Sequence, residues 1–528
     1  MKNKIYVNLK GYLLNGRKIA RVTVPARSFS IVNAKTGFIN YSGKLSSPTT
    51  DEFSGDSVCL ADFSDFREEG RYYIKIGFRR SASFEIARFP YRSIRRETLD
   101  AMYISRCGYD FLKDDIPVHL KPFAHGECHT SSVIHSNRRF MVNGGWHTMG
   151  GYEKDIPQTC LILAELMYTL DIFSYGMDDV ENARFTDEIR WGLDFLLKCQ
   201  DEDGGVFSRW YPEEQFSPGG PEEDTDTYHL GEKTCLSTLR FISACAHGAR
   251  IFANDPMFCK KLRSASHKSW LWITGCSEYR YYMSRFGDIS DDGSPYSLGC
   301  DFMWCLCEMY SLTGVQDFSS LISKKHITSQ FCGFSDKMTG GFAAMCYLTQ
   351  EQHRECFVDA FIRRRITEHA DRLCIAASHD MFGSACSVDD GFAYGTAFHI
   401  LTDAQSAAYA YMLSGDRRYL CLASDCLGYI YGCNPNGKAY VTGSKRYFVH
   451  SPCHRLSTAT FIDDCVPGLV VAGPNKLRTD PYSKWNIDPG TPAAMCYIDN
   501  MFSYSTNEPG LHFTAPLLFI SAFFDHIL

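Results

Sequence analysis

A change of hydrophobic period at Phe89-Pro90 divides this chain into two kinds of structure. Before it, IYVNL, KIARVTV, SFSIVN, SVCLADF, GRYYIKI and SASFEIA are short β-branched or aromatic runs separated by NG, TG, SG and EEG turn signals. Six or seven strands in fewer than 90 residues predict a small immunoglobulin-like β-sandwich over residues 1–88. From Tyr91 onward the apolar residues recur at helical spacing. In 185–199 Phe185, Ile189, Leu193, Leu196 and Leu197 share one face, with Thr186 placed to cap the helix. Similar stretches occupy 93–112, 157–173, 233–252, 300–313, 403–413 and 417–432, separated by Gly/Asp-rich loops such as DEDGG. Helix and loop alternating over the remainder predict an all-α domain at 89–528, an α/α toroid with two rings of helices and functional loops at one end.

Charge narrows the partners. Basic residues number 54 and acidic 61, a net charge of −7, which argues against nucleic acid. The balance is uneven: residues 1–96 carry 18 basic and 8 acidic side chains, leaving 36 and 53 for the rest. Twenty-three cysteines, an odd number scattered through helical stretches, read as free thiols in a reducing compartment and predict a cytoplasmic protein. The first residues, MKNKIYVNLKGYLLNG, hold no continuous apolar core of a leader segment. The longest apolar run, around TAPLLFISAFF, falls short of the ~20 residues that cross a bilayer, so no membrane partner is expected.

Four constellations carry chemistry. Cys107, Cys128, His129 and His147 offer two thiols and two imidazoles, the favoured ligands of a closed structural zinc site. Their spacing is not that of a compact finger, and core cysteines and histidines would serve it equally. Glu508 follows Asn507 near Phe502, Tyr504 and Phe513, whose rings could desolvate it as a general acid requires. His454 and Arg455 lie in a proline-bounded loop and can hold sugar hydroxyls or a carboxylate. Trp146, in GGWHTMGGYEK, offers a flat face on which a sugar ring stacks.

Taken in order, SRCG, CHTSS, GGWH, GCDFMWCLCEMYSLTG, YIYGCNPNGKAYVTG, PCHR, VPGLVVAGPN and YSTNEPGLHFTAPLL resemble glycoside hydrolase family 9, in its subgroup with an N-terminal immunoglobulin-like domain. The resemblance spans almost the whole chain. It implies an (α/α)6 barrel behind the sandwich, a general acid at Glu508, sugar contacts at Trp146, His454, Arg455, Tyr504 and Asn507, and structural zinc on Cys107, Cys128, His129 and His147. Calcium also occurs in the family; no ligands for it are assigned, nor is an oligomeric state.

The departures matter as much. The family reads Gly-Gly-Trp-His-Asp-Ala-Gly-Asp-Tyr where this chain reads Gly144-Gly145-Trp146-His147-Thr148-Met149-Gly150-Gly151-Tyr152. Both aspartates that serve the attacking water are replaced, by Thr148 and Gly151, and neither can accept a proton near neutral pH. Cys453 stands where the family has a histidine, and Ser131-Ser132 where an Asp-Asp pair is frequent. Three readings follow: a divergent glycosidase on a soluble oligosaccharide or polysaccharide fragment with a substitute base, for which Glu153 and Asp155 are nearest; a non-hydrolytic carbohydrate-binding pseudoenzyme; or a transfer or elimination reaction in the same groove.

Overall fold

The computed structural model describes residues 4–214, 219–284, 298–328, 330–386, 391–460 and 463–527. They form two compact units: one of residues 1–98, 370–454 and 462–528, the other of 99–369 and 455–461.

The first unit opens with the expected sandwich. Strands Ile5–Tyr6, Ile19–Val22, Ser57–Asp62 and Thr49–Thr50 make one sheet in that order. Strands Tyr12–Leu13, Phe84–Ala87, Gly70–Ile76, Ser28–Asn33 and Ile39–Lys44 make the other, with Arg79–Arg80 hairpinned onto Gly70–Ile76. Along Gly70–Ile76 alternate residues face inward. Tyr72, Ile74 and Ile76 are buried while Arg71 and Lys75 are exposed. The inner faces meet on Tyr12, Phe29, Phe63 and Phe84, whose rings pack edge-on or tilted at 5.0–6.5 Å. Ile39–Lys44 is not among the expected strands because its sequence, INYSGK, has no apolar alternation: four of its six residues lie exposed on a sheet edge. The same unit holds helices Thr396–Ser414, Arg417–Ile430 and Pro516–His526, the first packed against the other two.

In the second unit, helices Ile156–Phe173, Cys235–Ile251, Leu298–Thr313 and Gly340–Thr349 lie side by side. Each is buried nearly all round, as a helix walled in on every side must be. Ile156–Phe173 and the turn after it make a 21-residue segment apolar enough to cross a membrane, and its position among neighbouring helices accounts for that composition. Helices Asp179–Lys198, Pro256–Thr274 and Gln316–Lys325 pack outside this row and bury a single stripe. Glu308 knits three of the inner helices: it receives the Tyr168 hydroxyl, the Trp304 indole at 3.1 Å and the Arg250 guanidinium at 2.6 Å. Burial would raise its pKa, but Arg250 and His247 hold the carboxyl well below the usual range.

The helix expected over 185–199 starts at Asp179, capped by Asp178, whose carboxylate accepts from Glu181 N at 2.9 Å. Thr186 is no cap; its hydroxyl bonds back to the Asn182 carbonyl. The first turn and a half faces solvent, so it carries no apolar signature. Helices Pro256–Thr274 and Cys356–Ala377 were absent from the periodic stretches because so much of their surface is charged.

Candidate active site and metal centre

In the second unit the loop after Ser105 is fixed by two glycines. Gly144 and Gly145 have φ of 101° and 68°, and a Cβ on Gly145 would come within 2.4 Å of the Phe195 ring. This turn sends Trp146 inward. Its ring lies 2.4 Å from where a side chain on Gly192 would begin, and its indole N–H donates to Glu188 Oε2 at 3.0 Å. Glu188 also takes the Arg106 guanidinium at 2.8 Å. Trp146 is fully buried, which corrects the expectation that its face stacks on a sugar: the glycine that admits the ring into the core leaves it no open side.

The next residue, His147, completes a cluster. One ligand atom each from Cys107, Cys128, His129 and His147 lies within 4.8 Å of the others, and all four residues are buried. His129 Nδ1 is 3.4 Å from Cys107 Sγ and 3.3 Å from His147 Nε2. His129 holds a left-handed backbone, φ 52°, a strained conformation for a residue with a Cβ. Its other ring nitrogen, Nε2, meets Asp224 Oδ2 at 3.2 Å, the carboxylate–imidazole arrangement that orients metal-bound histidines. Burial works against the Asp224 carboxylate, yet His129, the Asp226 N–H and Arg455 bring its pKa down to about 2. Buried Lys154 reaches Cys107 Sγ at 3.3 Å. The four side chains can therefore hold a divalent metal with a second layer already in place. Among the described residues no other group of three or more such donors converges.

Arg455 belongs to this framework. Its guanidinium lies 4.0 Å over the Tyr152 ring and 3.4 Å from Asp224, and its backbone N–H donates to Gly150. It is buried, and its visible partners are protein groups rather than an open surface.

The two positions that lack aspartate lie between these anchors. Thr148 is fully buried; its N–H and hydroxyl both donate to the Glu153 carbonyl, and its oxygen accepts from Asp155 N at 3.2 Å. Asp155 caps helix Ile156–Phe173, accepting from Gln158 N at 2.8 Å, and burial raises its pKa to about 6 against that bond and two arginines. Glu153 differs. Its Oε2 is buried without a hydrogen-bond partner among the described residues, and burial, with Asp155 adding to it, pushes its pKa up. Of the two nearest carboxylates, one is spent on a helix cap and the other is not.

In the first unit, Glu508 sits at the end of a clamped segment. Its N–H donates to Tyr504 and its carbonyl accepts from Ala472 N at 2.9 Å. Asn507 Oδ1 accepts from the Tyr497 hydroxyl at 2.6 Å, while Asn507 Nδ2 donates to the Ser451 carbonyl and to Asp499. The Cys453 N–H donates to the Asn507 carbonyl, which brings the His454 loop alongside. Glu508 is 7% exposed, and its Oε2 accepts from the Tyr394 hydroxyl at 2.7 Å. Phe502, expected among the rings that desolvate Glu508, is 65% exposed; Phe513 is buried and packs on Tyr394. Tyr504, 38% exposed, and buried His454 belong to this same unit.

Sequence reading singled out Cys107, Cys128, His129, His147 and Glu508 but not their neighbours Asp224 and Tyr394, nor Glu188 beside Trp146. Each lies 42 to 114 residues from the side chain it supports, in a stretch with no motif of its own.

Comparison with known proteins accords with this geometry. The model of glycosyl hydrolase family 9 matches residues 91–521, and that of the cellulase N-terminal ig-like domain matches residues 1–81. The cellodextrinase of Butyrivibrio fibrisolvens is 25% identical, over 98% of each chain. The xyloglucan-specific endo-beta-1,4-glucanase of Bacteroides ovatus is 25% identical over 99% of this chain and 93% of its own. Among solved structures, a single mutant of a thermostable endoglucanase from Alicyclobacillus acidocaldarius superposes with a TM-score of 0.87 at 25% identity, over 99% of this chain and 100% of its own. A Zn-binding triple mutant of the family 9 endoglucanase J30 gives 0.85 at 26%, over 97% and 99%. The fold is thus a β-sandwich followed by a helical (α/α)6 barrel, as the sequence predicted.

Proposed function

The chain belongs to glycosyl hydrolase family 9, and on that premise we propose that it cleaves soluble β-1,4-linked gluco-oligosaccharides with Glu508 as the proton donor. Buried Glu508, held by its own backbone clamps and by the Tyr394 hydroxyl, carries this reading. A general acid must present one carboxyl in one rotamer to the leaving oxygen, and a fixed donor at 2.7 Å sets that rotamer. The substrate class rests on the cellodextrinase likeness over the full chain. None of the 23 cysteines forms a disulfide, which supports a reducing compartment and a soluble rather than a fibrous substrate.

An inverting hydrolysis needs a second carboxylate to draw a proton from water. With Thr148 and Gly151 unable to serve, we assign that role to Glu153, the neighbouring carboxylate whose buried Oε2 has no hydrogen-bond partner among the described residues. Thr148 then acts as a positioning residue, tying the Glu153 carbonyl into the loop through two hydrogen bonds.

The metal we assign is zinc, on Cys107, Cys128, His129 and His147. Two imidazole nitrogens bound tetrahedrally at 2.0–2.1 Å stand about 3.3 Å apart, the separation found between His129 Nδ1 and His147 Nε2. Bound there it would supply a fixed structural node, with two thiolates balancing its charge and Asp224 offsetting Lys154. Four protein ligands make the site closed, so hydrolysis proceeds without it.

Incubating wild type and Glu508→Gln with cellotetraose tests the reading. A fall in kcat of about 100-fold or more in the variant is expected; equal rates would overturn it. A second reading, sugar binding without cleavage, is favoured by one observation: the Thr148 hydroxyl is occupied in closing the loop and Gly151 has no side chain. Saturable cellotetraose binding with no product in wild type would establish that instead.

A further inference from the structure

The sandwich and the loop after Tyr440 enclose two adjoining hollows of about 410 and 600 Å³, both lined by Arg80, Ser81, Arg446 and Tyr447. Among the described residues neither is lined by a carboxylate, in a protein with seven more acidic than basic residues. One wall is the outward face of strand Gly70–Ile76. Arg71, Tyr73 and Lys75 alternate with the buried Tyr72, Ile74 and Ile76, so they stand in one row, about 7 Å apart. The hairpin adds Arg80 directly opposite Lys75 in register. Like charges facing each other across two strands destabilise a hairpin, and here no carboxylate separates them. The other wall supplies Lys445 and Arg446 from an exposed loop. Among the described residues none of Arg71, Arg80, Lys445 and Arg446 makes an ion pair; Glu85, opposite Arg71 in register, stays beyond ion-pair distance.

We propose that this groove binds an acidic oligosaccharide, a glycan bearing carboxylates, at a site distinct from Glu508. Guanidinium forks match carboxylates bidentately. The rings of Tyr73 and Tyr447, with the hydroxyl of Ser83, suit the apolar faces and hydroxyls of sugar rings. A long polyanion is disfavoured by the rest of the chain, where acids outnumber bases by 53 to 36; a short acidic glycan needs only the groove. The proposal stands on this cluster alone and does not depend on the assignment of hydrolysis.

Titration calorimetry of the full-length protein with pentagalacturonate tests it, with cellopentaose, inorganic phosphate and a single-stranded ten-nucleotide DNA in parallel. Pentagalacturonate is expected to bind saturably, to bind more weakly at 200 mM than at 50 mM salt, and to lose about tenfold or more in affinity in Arg80→Gln/Arg446→Gln. Both side chains are exposed, and unchanged melting of the variant checks that it folds. Absent binding, equal binding by the variant, or phosphate, cellopentaose or the DNA binding as tightly would each overturn the proposal. Failure to cleave cellotetraose would overturn the hydrolase reading and leave this one standing.

Discussion

Glu153 and Asp155 lie two residues apart, and their hydrogen bonds predict opposite outcomes for the same chemical change. Glu153→Gln replaces a carboxylate whose Oε2 has no partner among the described residues, while the backbone contacts from Thr148 stay in place. Stability should change little, by no more than about 2–4 °C in Tm, because removing a buried charge beside Asp155 offsets any imperfect amide pairing. If Glu153 activates the water, kcat falls by about 100- to 10,000-fold, equivalent to about 3–5 kcal/mol of barrier. Asp155→Asn keeps an acceptor for Gln158 N and so keeps the helix cap; its kcat should stay near wild type. The pH profile gives an independent reading. Burial raises the Glu153 pKa, and a base works only when ionised, so the acid limb of kcat should lie above the ordinary glutamate range of about 4.3 and disappear in Glu153→Gln. The assay is cellotetraose hydrolysis by both variants between pH 4 and 9, about the stable range of the sugar, with melting curves alongside. Wild-type kcat in Glu153→Gln, or an equal loss in Asp155→Asn, would refute the assignment.

Other consequences can be measured directly. Metal analysis should find about one zinc per chain, and chelation or Cys128→Ser should lower Tm without changing the pH profile of whatever hydrolysis remains, because the site is closed by four protein ligands. Glu188→Ala leaves the Arg106 guanidinium and the Trp146 indole unpaired in the core and should destabilise by about 3–5 kcal/mol, read by denaturant unfolding. Asp403, raised by burial to about 8, and Asp380, raised to about 7 by burial and by Asp51, bind protons more readily folded than unfolded. Stability should therefore fall as pH rises from about 4 toward 7 to 8 and level off above, and Asp403→Asn should raise Tm most at the alkaline end. A flat Tm across that window would contradict the burial of these carboxyls.

Much of the molecule was legible before any coordinates. Period-2 runs located most of the sandwich strands, and period-3.6 runs most of the inner helices, whose burial on every side makes them uniformly apolar. The outer helices were harder, because a helix that buries one narrow stripe carries charges everywhere else, as Cys356–Ala377 does. Cys107, Cys128, His129 and His147 were singled out by residue type and motif order, while their convergence emerged only when His129 and His147 met across 18 residues. Trp146 was misread for a physical reason: an indole in a glycine-rich loop suits a sugar platform and a core plug equally, and the choice lay with Gly192, which is remote in sequence and leaves room for the ring.

By itself the sequence determined that a β-rich module precedes a helical one and which residues stand at the motif positions, Glu508, Thr148 and Gly151 among them, since periodicity and residue identity are written in neighbouring positions. Only the tertiary structure decided which groups are already committed. It gave the Thr148 hydroxyl to the Glu153 carbonyl, the Asp155 carboxylate to a helix end, Asp224 to His129 and Tyr394 to Glu508. Such pairings depend on which surfaces packing brings within 3 Å or so of one another, and no local pattern encodes a partner 95 or 114 residues away.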